Sequence, residues 1–267
     1  MRWLIGDIHG MLRPLRGLIA AISKRDPAAH SIFLGDYVNR GPDSRKVVDL
    51  LLSLPHATFL RGNHDDVFDL LLHGDCYICH PGARDPVAAF AWFMQHGLAE
   101  TLMSYGSDLD ELEHAMQQPT PENVQKFVKP VPASHRRFFH SLKPVYETEA
   151  FFAAHGYWSP DEPDDSPGLA ARIDGDPTLR YRLLWGRFND EQIRQPKHWS
   201  RTGFFGHTPV LNYPAGMDLT PVFGPGIVLL DTASALADTG MLSAMCAETG
   251  TVLQANRAGE VVELPEQ

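Results

Sequence analysis

Short apolar runs alternate with helical stripes through the first seventy residues. Trp3-Leu4-Ile5 reads as a strand, and Leu12, Leu15, Leu18, Ile19 and Ile22 follow at the spacing of one helix face. Pro14 falls in that helix's first turn, where its missing N–H has no intrahelical partner to lose. Ile32-Phe33-Leu34 reads as a second strand, followed by a helix carrying Val47, Val48 and Leu50 to Leu52. Thr58-Phe59-Leu60 is a third, followed by Val67, Phe68 and Leu70 to Leu72. Strands alternating with helices predict an α/β fold whose N-terminal sheet is largely parallel. Each strand runs into a polar cluster: Gly6-Asp7-Ile8-His9-Gly10, then Gly35-Asp36, then Arg61-Gly62-Asn63-His64-Asp65. In open α/β sheets that edge is where ligands bind.

Residues 74–142 change character. Phe90 to Tyr105 has a helical pattern, Pro119 to Pro132 is loop-rich with a short helical piece, and Ser134 to Leu142 resumes helix. This stretch reads as a helical insertion, a lid or wall with its own core of Phe90, Trp92, Phe93 and Met94, within one domain spanning 1–267. Strands return at Ala150 to Ala154, ending in His155-Gly156, and at Gly203 to Phe205, ending in Gly206-His207-Thr208-Pro209. Another, Gly226 to Leu230, ends in Asp231-Thr232, where Asp231 reads as structural or as a partner to a histidine. Residues 159–178, rich in Asp, Pro and Gly, read as a surface loop. Met241 to Leu264 reads as a hairpin around Glu248-Thr249-Gly250 plus a final strand.

With 43% hydrophobic residues in a chain of 267, a sizeable core forms. A formal net charge of −10 argues against nucleic acid or an anionic membrane as partner. No run is long and apolar enough to span a bilayer, and the N-terminal residues lack a signal-peptide pattern, so a cytoplasmic protein is expected. Three cysteines fit a reducing compartment. Cys76-Tyr77-Ile78-Cys79-His80 matches the haem-attachment pattern C-x-x-C-H, but that attachment takes place outside the cytoplasm, so the cysteines read as incidental.

Five strand ends therefore deliver Asp7 and His9, Asp36, Asn63 and His64, His155, and His207. Imidazole, carboxylate and amide oxygen are ligands of divalent transition metals. In Asp7-Ile8-His9 the i, i+2 spacing puts both donors on one side of extended backbone. Asp36 has two oxygens and can bridge two ions, while His155, His207 and Asn63 complete the second. Two such ions activate a bridging water and neutralise phosphate oxygens in displacement at phosphorus. Arg40 and Arg61 are candidates to hold those oxygens. His64, next to a ligand, is better placed to protonate the departing oxygen.

GDIHG, GDYVNRG, RGNHD, HG and GHTP, in this order and spacing, resemble the phosphoprotein-phosphatase branch of the calcineurin-like metallophosphoesterases. GLAETLMSYG (97–106), residues 136–160, LLWGRF (183–188) and VLLDTA (228–233) are similar to bacterial serine/threonine phosphatases of that branch. The resemblance implies a β-sandwich flanked by helices and two divalent ions, Mn²⁺ or an Fe/Mn-type pair, with Zn or Ni as variants. It implies Asp7 and His9 on one ion, Asp36 as bridge, and Asn63, His155 and His207 on the other. His64 is then the acid, Arg40 and Arg187 clamp phosphate, and Arg61 becomes structural. The implied substrate is a phosphorylated protein or small phosphoester, with phosphoserine or phosphothreonine foremost. A symmetrical dinucleoside-tetraphosphatase is the alternative, and an inactive phosphopeptide-binding module the non-enzymatic one. Two departures stand out. Asn39 replaces the aspartate of the usual GDxVDRG, which pairs with the catalytic histidine, so His64 is expected to be a weaker acid unless Asp65 or Asp66 compensates. GNHD replaces GNHE, as in the dinucleoside-polyphosphate hydrolase relatives.

Overall fold

Two β-sheets face one another, and the alternation of side chains along their strands assigns each residue to one of three apolar layers. The computed structural model describes residues 1–75, 77–78, 80–161 and 168–265. The first sheet begins with β1 (Arg2–Ile5), β2 (His30–Phe33) and β3 (Ala57–Phe59), which pair in parallel through α1 (Leu12–Arg25) and α2 (Ser44–Leu52). The chain's last strands, β9 (Leu242–Cys246), β10 (Val252–Ala255) and β11 (Val261–Glu263), extend this sheet antiparallel from β1. The order is β11-β10-β9-β1-β2-β3, so the parallel half predicted from the pattern is joined to an antiparallel half. The second sheet has the order β4-β5-β6-β8-β7: β4 (Val145–Glu147), β5 (Phe151–Ala154), β6 (Thr202–Phe205), β8 (Ile227–Leu229) and β7 (Val222–Gly224). Its three central strands are parallel and its two edges antiparallel.

The period of two does the sorting. Leu4, Ile32 and Leu34 from one sheet meet Phe151, Ala153, Phe204 and Val228 from the other, forming the sandwich interior. Their neighbours Trp3, Ile5 and Phe33 point the other way, into α1 and α2, and Phe152, Ala154 and Phe205 pack outward beneath α9 (Leu169–Gly175), α10 (Pro177–Trp185) and α11 (Asp190–Arg194). The expected surface loop at 159–178 is thus corrected in part: α9 and the start of α10 lie within it. Asp176 caps α10, accepting N–H bonds from Thr178 and Leu179, with Pro177 at the first helical position.

After α3 (Asn63–His73), residues 74–142 form α4 (Pro86–Phe93), α5 (Leu98–Ser104), α6 (Leu109–Gln117), α7 (Pro121–Val128) and α8 (Ala133–His140). Gly97, at φ +85°, breaks the expected single helix over 90–105. Among the described residues the insertion has no core of its own. Phe90 and Phe93 share one buried cluster with Leu70 and Leu71 of α3 and with Trp3 of β1, and Trp92 and Met94 pack against it. Cys76 and Cys79 lie outside the described residues, and Cys246 is buried. Among the described residues no helix is long and apolar enough to cross a membrane.

Arg61 fastens α3 to α8. Its buried guanidinium donates to Asp66 at 3.0 Å, to Asp69 at 2.9 Å, and to the carbonyls of Phe139 and His140 at 2.9 and 3.1 Å. Breaking a buried pair by removing one partner leaves uncompensated charge and typically costs about 3–5 kcal/mol. Arg61→Ala is expected to lose stability on that scale in urea unfolding. A loss no larger than that of an exposed ion pair, about 1 kcal/mol or less, would refute the role given to Arg61.

Candidate metal centre

The parallel strands of both sheets end at one edge, and the residues that follow them meet there. Asp7 and His9 follow β1, Asp36 follows β2, Asn63 and His64 open α3 after β3, His155 follows β5 and His207 follows β6. All seven are buried. His9 Nε2 lies 3.4 Å from Asp36 Oδ2, and His155 Nε2 lies 3.4 Å from Asp36 Oδ1. Asn63 Oδ1 is 3.0 Å from His155 Nε2 and 2.9 Å from His207 Nδ1, while the His207 amide donates to Asp7 Oδ2 at 2.9 Å. Donor atoms of Asp7, Asp36 and His155 fall within 4.8 Å of one another, as do those of His9, Asp36 and His64.

The backbone is bent to allow this. Among the described residues, five of the seven non-glycine residues at positive φ are His9, Asp36, Asn39, Arg40 and His207. Asx and His tolerate that region best, and Arg40 carries the larger steric cost. Glycine is required where a carboxylate rests on the next loop: a Cβ on Gly62 or on Gly206 would stand 2.1 Å from an oxygen of Asp36 or Asp7. Asp65 holds the turn, accepting N–H bonds from Asp36 at 2.7 Å, Tyr37 at 2.9 Å and Gly62 at 3.0 Å.

These donors fit a pair of divalent cations. His9 Nδ1 donates to the Val38 carbonyl and His155 Nδ1 to that of Leu34, both at 2.8 Å. Both histidines therefore turn Nε2 toward Asp36, and a backbone acceptor behind a ring is how proteins orient metal-ligating imidazoles. Asp7 Oδ1 and His207 Nε2 are buried with no hydrogen-bond partner. Burial, then the nearby Asp231 carboxylate, push the Asp7 carboxyl well up, so a cation there restores its ionised form. Burial opposes charge on His155, yet the Asp36 carboxylate outweighs it and lifts the imidazole to about 9. The space between these rings and Asp36 attracts positive charge.

Around this pair stand the other expected residues. Arg40 donates to His9 Nε2 at 2.5 Å and lies 3.2 Å from His64 Nε2. Arg187 reaches the carbonyl of His207 at 3.5 Å and Thr208 Oγ1 at 3.2 Å. Asn39 lies 2.8 Å from His64 Nδ1. Neither Asp65 nor Asp66 compensates for Asn39. Asp65 is committed to the three backbone amides, and Asp66 to Arg61 and the amides of Tyr77 and Ile78. Asp231 Oδ1 accepts the Ala233 N–H, a structural role, and no bond to a histidine is found among the described residues. Sequence reasoning missed Thr101, whose hydroxyl bonds both the backbone and side chain of Asn39, and Phe93, whose ring packs edge-on against His64 at 5.0 Å.

The profile of the calcineurin-like phosphoesterase family matches residues 2–211. Over 65 residues the chain is 43% identical to a protein of Pseudomonas putida (strain W619) named symmetrical bis(5'-nucleosyl)-tetraphosphatase, a match covering 24% of this chain and 22% of that protein. A protein of the same name from Photorhabdus laumondii subsp. laumondii is 46% identical over 65 residues, covering 24% and 23%. The chain thus matches less than a quarter of the length of these relatives. Among solved structures, one provisionally described as a diadenosine tetraphosphatase aligns at a TM-score of 0.51 and 19% identity, covering all of this chain and 93% of the other. A cold-active protein tyrosine phosphatase aligns at 0.52 and 13%, covering 99% and 78%. At such identities the likeness is one of fold. Two facing sheets, a cluster of acid, amide and imidazole at their common edge, and a profile match over most of the chain agree: this protein belongs to the calcineurin-like phosphoesterases.

Proposed function

We propose that this metallophosphoesterase hydrolyses phosphoanhydrides, with a dinucleoside tetraphosphate as substrate and a nucleoside diphosphate as the departing group. The observation that carries the reading is the environment of His64. Thr101 Oγ1 donates to Asn39 Oδ1 at 3.0 Å and accepts the Asn39 N–H at 2.7 Å. With its oxygen engaged, the amide presents Nδ2 to His64 Nδ1 at 2.8 Å, an orientation set by this network. Arg40 stands at the other ring nitrogen. Both nitrogens face donors, so nothing accepts the second proton of an imidazolium. Burial first, with His9 and Arg40 adding to it against Asp36, pushes His64 well below the ordinary imidazole range.

A neutral imidazole positions and hydrogen-bonds a substrate but delivers a proton poorly. That matters for a serine or threonine ester, whose alkoxide is about as basic as hydroxide. A phosphoanhydride releases a phosphate group whose second pKa is about 6, and it departs with little help. The phosphoprotein reading demands a stronger acid than this site offers. The names of the relatives matched over 65 residues support the same choice.

Within this proposal Asp7, His9, Asp36, Asn63, His155 and His207 hold two divalent cations, Mn²⁺ foremost. Bound there, the ions supply Lewis acidity and lower the pKa of water. Arg40 and Arg187 orient phosphate oxygens by paired N–H donors. Asp36 stays ionised: burial works against it, but the His155 imidazolium holds its carboxyl well below the usual range.

Two measurements test the proposal. With Mn²⁺, diadenosine tetraphosphate is expected to turn over to ADP faster than phosphoserine or phosphothreonine peptides, and Asp36→Asn to lose both turnover and retained metal. Preference for the peptides would overturn it. Asn39→Asp supplies the missing acceptor for His64 Nδ1–H. Acid catalysis is worth about 10²–10⁴ in rate, so the ratio of alkyl-phosphate to anhydride turnover is expected to rise about tenfold or more. An unchanged ratio would remove His64 protonation as the selector.

A further inference from the structure

We propose that Asp69, His73 and His140 form a separate cation site, for a borderline transition metal such as Zn²⁺, which staples α8 to α3. Asp69 and His73 lie four apart on α3 and so share a face, and His140 is the last residue of α8. Both imidazoles turn Nδ1 toward the one carboxylate, at 2.7 Å from Asp69 Oδ1 for His73 and 3.6 Å from Oδ2 for His140. A tetrahedral ion with bonds of about 2.0–2.1 Å separates its ligand atoms by roughly 3.3 Å, and the two spacings bracket that value. The rings are 5.1 Å apart between centroids. Their side chains are 30% and 65% exposed against 4% for Asp69, so two adjustable ligands close on one fixed one. Binding through Nδ1 leaves each Nε2–H on an exposed ring, where water can take it.

The electrostatics favour a cation. Arg61 lies against Asp69, but Asp66 pairs with the same guanidinium, so the three groups together keep one formal negative charge. The site also sits at the last turn of α3 and of α8, where two helix dipoles present their negative ends. A cavity of about 290 Å³ lined by Arg61, Asp69, Asp75, Tyr77, His140 and Arg180 adjoins it, with room for water to complete the coordination. Two imidazoles and one carboxylate suit zinc, cobalt, nickel or copper over magnesium or calcium. Asp69 follows Asn63 by six residues on α3, roughly 9 Å along the axis, so the site is distinct from the centre at the sheet edge.

The test compares wild-type protein with H73A/H140A, two exposed substitutions outside the catalytic machinery, with circular dichroism as the check on folding. Equilibrium dialysis against Zn²⁺ is expected to give one bound ion per chain fewer in the variant. Because the difference is read, the number of ions held at the sheet edge does not enter. With Co²⁺, the visible absorption is expected to lose one component, and the rise in melting temperature on adding Zn²⁺ to shrink. Equal ion counts and equal Co²⁺ spectra in both proteins would overturn the proposal. A second variant, H140Q, keeps the bulk at α8 and removes the imidazole: it is expected to lose the same ion, and full retention would also count against the site.

Discussion

A single buried carboxylate sets the terms for everything around it. Asp36 is 1% exposed, yet among the described residues its oxygens are met by only one backbone N–H, that of His64 at 3.0 Å, and otherwise by imidazole rings. Burying an ionised carboxylate is costly unless cations and hydrogen bonds surround it. The loops from β1, β3 and β5 must therefore all close on the loop from β2. Positive φ at His9, Asp36, Asn39, Arg40 and His207 is the local cost of that closure, about 1–3 kcal/mol for each strained residue. It persists because Asp65 locks Asp36, Tyr37 and Gly62 in one turn, and because β1, β2, β5 and β6 beneath are buried along all, or all but the first, of their residues.

The sandwich explains why six candidate ligands from such distant positions can meet. Ligands collect at the carboxyl ends of parallel strands, and here two sheets each offer three. The sheets face one another through Leu4, Ile32, Phe151 and Phe204, so their strand ends share an edge. Neither sheet alone could surround Asp36: one brings His9 and Asn63, the other His155 and His207.

The site was more legible than the fold. Asp7, His9, Asp36, Asn63, His64, His155 and His207 sit directly after strands, so their positions followed from local pattern. The edge strands β4 and β7 escaped, because three residues with one exposed face carry no period of two. Helix α6 was missed although Asp108 caps it, and α9 and the start of α10 were hidden in a stretch whose Asp, Pro and Gly read as loop. Asp176-Pro177 was a readable helix start. The functions of Thr101 and Asp65 could not be read at all. Each acts on a segment 28 to 62 residues away, and only tertiary placement reveals which polar group a hydroxyl or carboxylate meets.

Helix α3 connects the two ends of this chemistry. Ten of its eleven residues are buried, and about 15 Å of helix separates Asn63 from His73. A helix so enclosed moves as a rod or not at all. Its N-terminal turn holds Asn63 and His64 against Asp36, and its middle is tied to α8 through Arg61. Any cation held between Asp69, His73 and His140 acts on the same two helices that Arg61 already joins. It limits how far α8 can part from α3, and with it how far the first turn can shift. The wall that bears Phe93 against His64 packs on α3 as well. Stiffness at the outer end of the helix is therefore stiffness at Asn63 and His64, carried by packing and by the bonds of Arg61.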